Sequence, residues 1–137
     1  MNAILLIAHA PLANALRQCA LHVFPDCGNW IVAIDVQPNL SPDETLGSAR
    51  IALDQLTRNP QVKGVLVLTD IFGATPGNAI SHLLDDGRIE GVSGISLPML
   101  LRVITGRNGS LPGAVKRALS GGAEGLVHMN SDRCLDA

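Results

Sequence analysis

The sequence has no tyrosine, one tryptophan and two phenylalanines, so aromatic residues make up 2% of its 137 positions. That scarcity argues against the aromatic platforms on which single-stranded nucleic acids stack. It also leaves Val, Ile, Leu and Ala to build the core, as in parallel sheets covered on both faces. Neither sign of charge dominates: ten Lys and Arg stand against twelve Asp and Glu, a net charge of -2, with no basic or acidic run. The electrostatic footprint of a nucleic-acid or anionic-membrane binder is therefore missing. Apolar runs such as Ala3 to Ala8 and Val65 to Leu68 fall far short of a membrane span, and no charged segment precedes a cleavable apolar one. The expectation is a cytoplasmic protein. Cys19, Cys27 and Cys134 are odd in number and lack Cys-x-x-Cys spacing, and Cys19 falls on the expected apolar stripe of a helix. They read as reduced thiols and not as a disulfide or metal site. No histidine pair has metal-ligand spacing, so no metal and no cofactor is expected. No Gly-x-Gly-x-x-Gly or Gly-x-x-x-x-Gly-Lys-Ser/Thr motif follows a strand, which leaves a dinucleotide or P-loop site without its backbone cradle.

What is present is a strong apolar content, 47% of the chain, in a length that suits one domain. Strand and helix signals alternate, which predicts a layered α/β fold. Ala3 to Ala8 reads as a fully apolar strand. Pro11 is preset for a first helical position, and Leu12, Ala15, Leu16, Cys19 and Val23 recur at helical spacing. Ile31 to Val36 is a second strand, followed by Ser41-Pro42-Asp43-Glu44, an N-cap with a first-turn proline and a capping-box glutamate. Leu46, Ala49, Leu53 and Leu56 give that helix its apolar stripe. Val62 to Thr69 is the strongest strand and runs into Asp70-Ile71-Phe72-Gly73-Ala74-Thr75-Pro76, where Thr75 caps a helix that buries Ala79, Ile80, Leu83 and Leu84. Ile89 to Leu97 reads as a fourth strand, Pro98 opens a helix with Met99, Val103 and Ile104 inward, and Pro112 to Leu119 reads as a short helix stopped by Gly121-Gly122. Leu126 to Met129 is a candidate last strand, and Asn130 to Ala137 a tail.

In open α/β sheets ligands bind beyond the carboxyl ends of the strands, where the strand order reverses. The first strand ends at His9 and the third at Asp70, and a 2-1-3-4 order, taken from fold precedent, sets those ends side by side. The Asp70 carboxylate could then hold one ring N–H of His9 and leave the other nitrogen's lone pair facing outward, as a nucleophilic histidine requires. The Gly73-Ala74-Thr75 turn before a helix offers backbone donors and a hydroxyl to a tetrahedral anion, so a phosphoryl group is the plausible cargo. His22, near a helix end, His82, off the apolar stripe of its helix, and His128, in the doubtful strand, are expected to be non-functional.

These residues resemble the enzyme IIA component of the mannose family of the phosphoenolpyruvate-dependent sugar phosphotransferase system (PTS). Four places carry the resemblance: the strand ending in His9 with Ala13 beyond it; Asp35-Val36-Gln37-Pro38 before Glu44-Thr45-Leu46; Gly64 to Pro76 with Asn78-Ala79 following; and Leu97-Pro98-Met99-Leu100. The resemblance implies a three-layer α/β/α domain over residues 1–129 with a mainly parallel sheet in 2-1-3-4 order. It further implies a last strand, within Glu124 to Met129, that runs antiparallel and is exchanged in a homodimer. His9 would take phosphate from the phosphohistidine of HPr and pass it to a IIB component, with Asp70 as its hydrogen-bonded partner and Thr75 in the place of a family serine. Ala10, Ala74 and Ser96 depart from the family's usual Gly, Gly and Asn. The added Cβ atoms at Ala10 and Ala74 narrow the anion cradle without removing its donors.

Related readings carry the same chemistry. The phosphotransfer subunit of dihydroxyacetone kinase shares the histidine site, and a regulatory module would use His9 as a switch on a contact surface. A receiver domain phosphorylated on Asp70 would need acidic metal ligands after the first strand, where Ala8-His9-Ala10 provides none.

Overall fold

The computed structural model describes residues 1–71 and 80–132 of the chain. Four strands, β1 (Asn2–His9), β2 (Ile31–Val36), β3 (Gly64–Thr69) and β4 (Ile89–Ser93), form one sheet in the order β2-β1-β3-β4. All three pairings are parallel, and the registers set His9 beside Val36 and Ile7 beside Thr69. The α/β class, the parallel sheet and the strand order agree with the sequence reading. Ala3 to Ala8 of β1 and Val65 to Leu68 of β3 are wholly buried, because both central strands are covered on two faces.

Among the described residues, helices with both ends described are α1 (Leu12–Val23), α2 (Pro42–Thr57), α3 (Leu97–Thr105), α4 (Leu111–Glu124) and the single-turn α5 (Met129–Asp132), with a 3-10 segment at Pro25–Trp30, and residues 80–81 are the described end of another helix. The right-handed crossovers β1-α1-β2 and β2-α2-β3 run in opposite directions along the sheet, so α1 and α2 cover opposite faces. Helices α3 and α4 pack on one another, α1 touches α3, and α4 lies against β3 and β4, which completes the layer on the α1 side. Helix α2 starts as its sequence requires: Ser41 Oγ accepts the Glu44 N–H, and Glu44 returns a carboxylate to the Ser41 N–H.

Several elements differ from the sequence expectation. Pro11 is the residue before α1 and not its first helical position. The buried line of α1 is Ala13, Leu16 and Ala20, whereas Leu12, Cys19 and Val23 are exposed. The helix is rotated because two of its polar residues bond to the fold: Asn14 to Asp35, and Arg17 through Nε to the Ile31 carbonyl and through Nη2 to the Gly28 carbonyl. Strand β4 stops at Ser93 and does not reach Leu97. Gly94, at φ +82°, turns the chain, and Ser96 caps α3 by accepting the Met99 N–H. Leu84 is exposed, while Ile80 and Leu83 are buried as expected.

Gly121-Gly122 does not stop α4, which continues to Glu124. A Cβ on Gly121 would lie 2.8 Å from Arg102 Cβ and 3.3 Å from Met99 Cα, so these glycines serve the close approach of α3 and α4. Leu126 to Met129 forms no strand in the single chain: residues 126–128 have no regular structure, and Met129 opens α5, which makes residues 130–132, at the start of the expected tail, helical. Ala79 and Cys134 lie outside the described residues.

Candidate functional site

Strand β1 delivers His9 at its carboxyl end, and β3, its neighbour, leads through Thr69 to Asp70. Parallel pairing makes both ends emerge at the same edge of the sheet. The ring Nδ1 of His9 lies 2.8 Å from Asp70 Oδ2, and the His9 backbone N–H donates to the same oxygen at 3.2 Å. The other carboxylate oxygen accepts the Ile71 N–H at 2.9 Å, with the Thr69 hydroxyl at 3.4 Å. The backbone behind the acid is also held: Gly94 N–H donates to the Asp70 carbonyl and Ile95 N–H to that of Thr69.

These contacts settle the state of the pair. Burial by itself pushes the Asp70 pKa up, but the hydrogen bonds from the His9 ring, the His9 backbone and the Ile71 backbone outweigh it. The net shift is downward. An ionised carboxylate only accepts, so His9 Nδ1 must carry the proton at this contact. In the neutral imidazole Nε2 then keeps its lone pair. The His9 side chain is 49% exposed and that of Asp70 13%, so the acid is fixed in the fold while the imidazole it orients stands open to solvent.

A second carboxylate at the same edge builds the start of α1. Helix α1 has no side-chain cap of its own, and Asp35, near the end of β2, supplies one from the neighbouring strand. Its oxygens accept the Asn14 N–H at 3.1 Å and the Asn14 Nδ2 at 2.9 Å. With the Ala10 N–H donated to the Val36 carbonyl at 3.0 Å, this ties both sides of the His9 turn to β2. The role of Asp35 as a cap was not foreseen from sequence. The rule that singled out His9 and Asp70, a polar residue at a strand's carboxyl end, applies equally to it.

The sequence reading placed Gly73, Ala74 and Thr75 around the cargo, and these three residues lie outside the described residues. His22 is exposed near the end of α1, His82 is exposed after the described end of its helix, and His128 precedes α5, with Nδ1 2.7 Å from Ser131 Oγ. Among the described residues no three His, Cys, Asp or Glu side chains gather to hold a metal ion. Among them, too, no helix is long and apolar enough to cross a membrane.

Comparison with known proteins finds relatives of nearly the whole chain. The family described as PTS system fructose IIA component (EIIA-man) matches residues 3–119. The sorbose-specific EIIA component of Lacticaseibacillus casei is 30% identical over 106 residues, 77% of this chain and 73% of that protein. The mannose-specific EIIAB component of Escherichia coli K12 is 35% identical over 75 residues, which are 53% of this chain and 23% of that longer protein. Among solved structures, the EIIA component from Streptococcus agalactiae superposes with a TM-score of 0.78 at 26% identity, covering 96% of this chain and 99% of the other. The chain therefore belongs to the mannose (EIIA-man) family of PTS EIIA components, the phosphoryl carriers of a sugar-transport phosphotransferase system.

Proposed function

We propose that His9 is the residue that carries the phosphoryl group, taking it on Nε2 from the phosphohistidine of HPr and passing it to a IIB component. The observation that carries this reading is the 2.8 Å contact between His9 Nδ1 and Asp70 Oδ2 on a half-exposed ring. In the neutral imidazole this contact reserves the Nε2 lone pair for the cargo on a half-exposed ring, and a carrier must present its nucleophile to two successive protein partners. In each transfer the N–P bond on the donor imidazole breaks as the bond from phosphorus to the acceptor's nucleophile forms. The donor nitrogen recovers its lone pair, so the chain's own task is to position and to stabilise charge. Asp70 holds the proton on Nδ1 and stabilises the positive charge that develops on the ring. Backbone donors of Gly73 and Ala74 and the Thr75 hydroxyl are assigned to the phosphoryl oxygens from their place in the sequence, before Pro76, where the sequence predicts a helix.

The test is incubation with phosphoenolpyruvate, enzyme I and HPr, followed by intact mass measurement. One added phosphate, labile in acid and stable in base, is expected, and His9→Ala should abolish it. Phosphate uptake that survives in His9→Ala would overturn the assignment.

The homodimer implied by the family belongs to the same proposal. Leu126, Val127 and Met129 are 85%, 52% and 79% exposed, and β4 stands at the sheet edge. Exchange of this segment onto the β4 edge of a second copy would cover both. Light scattering should give twice the chain mass, and a chain ended after Gly125 should be monomeric. A monomeric full-length chain would exclude the exchange.

A further inference from the structure

Helix α2 carries a polar atom that the fold encloses without a partner. Thr45 is 0% exposed, and among the described residues its Oγ1 is the buried side-chain oxygen with no hydrogen bond. Its own N–H is engaged, donating to the Ser41 carbonyl at 3.1 Å. Buried hydroxyls are almost always paired, and a valine would fill the same volume without an orphaned oxygen, so this one requires an explanation.

The location supplies it. Strand β2 ends at Val36, the register partner of His9, and α2 starts at Pro42 after a short loop on that carboxyl side of the sheet and packs across β1, β2 and β3. Its first turn, with Thr45, therefore lies at the edge where His9 and Asp70 emerge. A phosphoryl group on His9 would bring about two negative charges to that edge. A hydroxyl with no standing partner is free to rotate, and in a buried setting its dipole acts more strongly than in water.

We propose that Thr45 is a positioning residue of the phosphotransfer site: its hydroxyl is held in reserve in the unphosphorylated protein and takes up a hydrogen bond when His9 is phosphorylated. The proposal rests on the His9 reading above. It differs from a structural role in its dependence on the phosphorylation state.

Three variants of the full chain separate the hydroxyl from the methyl: Thr45→Val keeps the volume, Thr45→Ser keeps the hydroxyl, and Thr45→Ala keeps neither. Phosphate uptake from phospho-HPr is timed for each, and the thermal midpoint is read before and after phosphorylation. Uptake should follow the hydroxyl, with Ser within about twofold of wild type and Val and Ala slower by about five- to tenfold. Thr45→Val should match or exceed the wild-type midpoint when unphosphorylated and fall below it only when phosphorylated. Uptake that tracks stability across the three variants overturns the proposal. So does an equal loss of midpoint in both states of Thr45→Val, as a permanently bound water on Oγ1 would give. If wild type itself takes no phosphate on His9, the parent reading fails first, and that control tells the two failures apart.

Discussion

Replacing Asp70 by Asn tests the orienting role of the acid with little change of shape. The carboxylate makes two contacts with His9, from the ring at 2.8 Å and the backbone N–H at 3.2 Å, and a third with the Ile71 N–H at 2.9 Å. An amide cannot accept at both of its ends. If its oxygen faces His9, its NH2 group opposes the Ile71 N–H. If its NH2 faces His9, Nδ1 must accept and the ring proton moves to Nε2, the atom assigned to attack phosphorus. A hydrogen bond to an ionised group contributes about 1.5–3 kcal/mol, against about 0.5–1.5 kcal/mol for a neutral one. The change therefore removes about 1 kcal/mol at each His9 contact, and solvent around the half-exposed ring screens part of that. A loss of about 1–2 kcal/mol in the transition state slows transfer by about 5- to 30-fold. The assay is the time course of phosphate incorporation from phosphoenolpyruvate through enzyme I and HPr, with circular dichroism to establish that the fold is retained. Transfer within twofold of wild type in a folded Asp70→Asn protein would refute the reasoning.

Two further outcomes follow from the same structure. The Asp70 pKa lies below its ordinary value of 3.8, so the ionised acid contributes stability that is fully present above that pH and is lost as the pH falls through the lower folded value. Urea midpoints of wild type and Asp70→Asn should thus differ most near neutrality and converge in acid; a constant difference would show that the carboxylate's charge is not what stabilises. Gly121→Ala gains about 1 kcal/mol of helix propensity. Its Cβ would nevertheless fall 2.8 Å from Arg102 Cβ, and the overpacking, about 1–3 kcal/mol, should leave a net loss of up to about 2 kcal/mol by urea denaturation. A stabilised variant would refute the close-packing reading of α3 and α4.

The parts of this fold that were legible in the sequence are those fixed by neighbours along the chain. The limits of β2, the Ser41 capping box and the buried stripe of α3 all follow from residues within one or two turns of each other. His9 and Asp70 were legible for a different reason: each is a polar residue closing an apolar strand, and parallel pairing brings such residues to one edge whatever lies between them. The errors share a physical source in distant partners. The apolar spacing of Leu12, Ala15, Leu16, Cys19 and Val23 misplaces the buried face of α1 because Asn14 and Arg17 turn toward Asp35, Gly28 and Ile31, which receive their hydrogens. Gly121-Gly122 reads as a helix stop until α3 occupies the space that a side chain would fill. Leu126 to Met129 has strand-like residues, but a strand also needs an edge to pair with, which the single chain does not bring to it.

A carrier has a further requirement that a hydrolytic or trapping site lacks, since it must give up the group as readily as it receives it. Arg and Lys clamps hold phosphoryl oxygens strongly because their charge opposes the phosphate's own. Among the described residues no Lys or Arg bonds to His9 or Asp70, and the segment Phe72 to Ala79 contains no charged residue. If His9 carries the group as proposed, the described residues around it would offer the phosphorylated state neutral donors and the proton that Asp70 holds on Nδ1. Neutral hydrogen bonds are weaker than charge-assisted ones, so a phosphoryl group on Nε2 would stay high enough in free energy to pass onward. On the proposed function, strong cationic stabilisation of the transition state would then have to come from the partner protein.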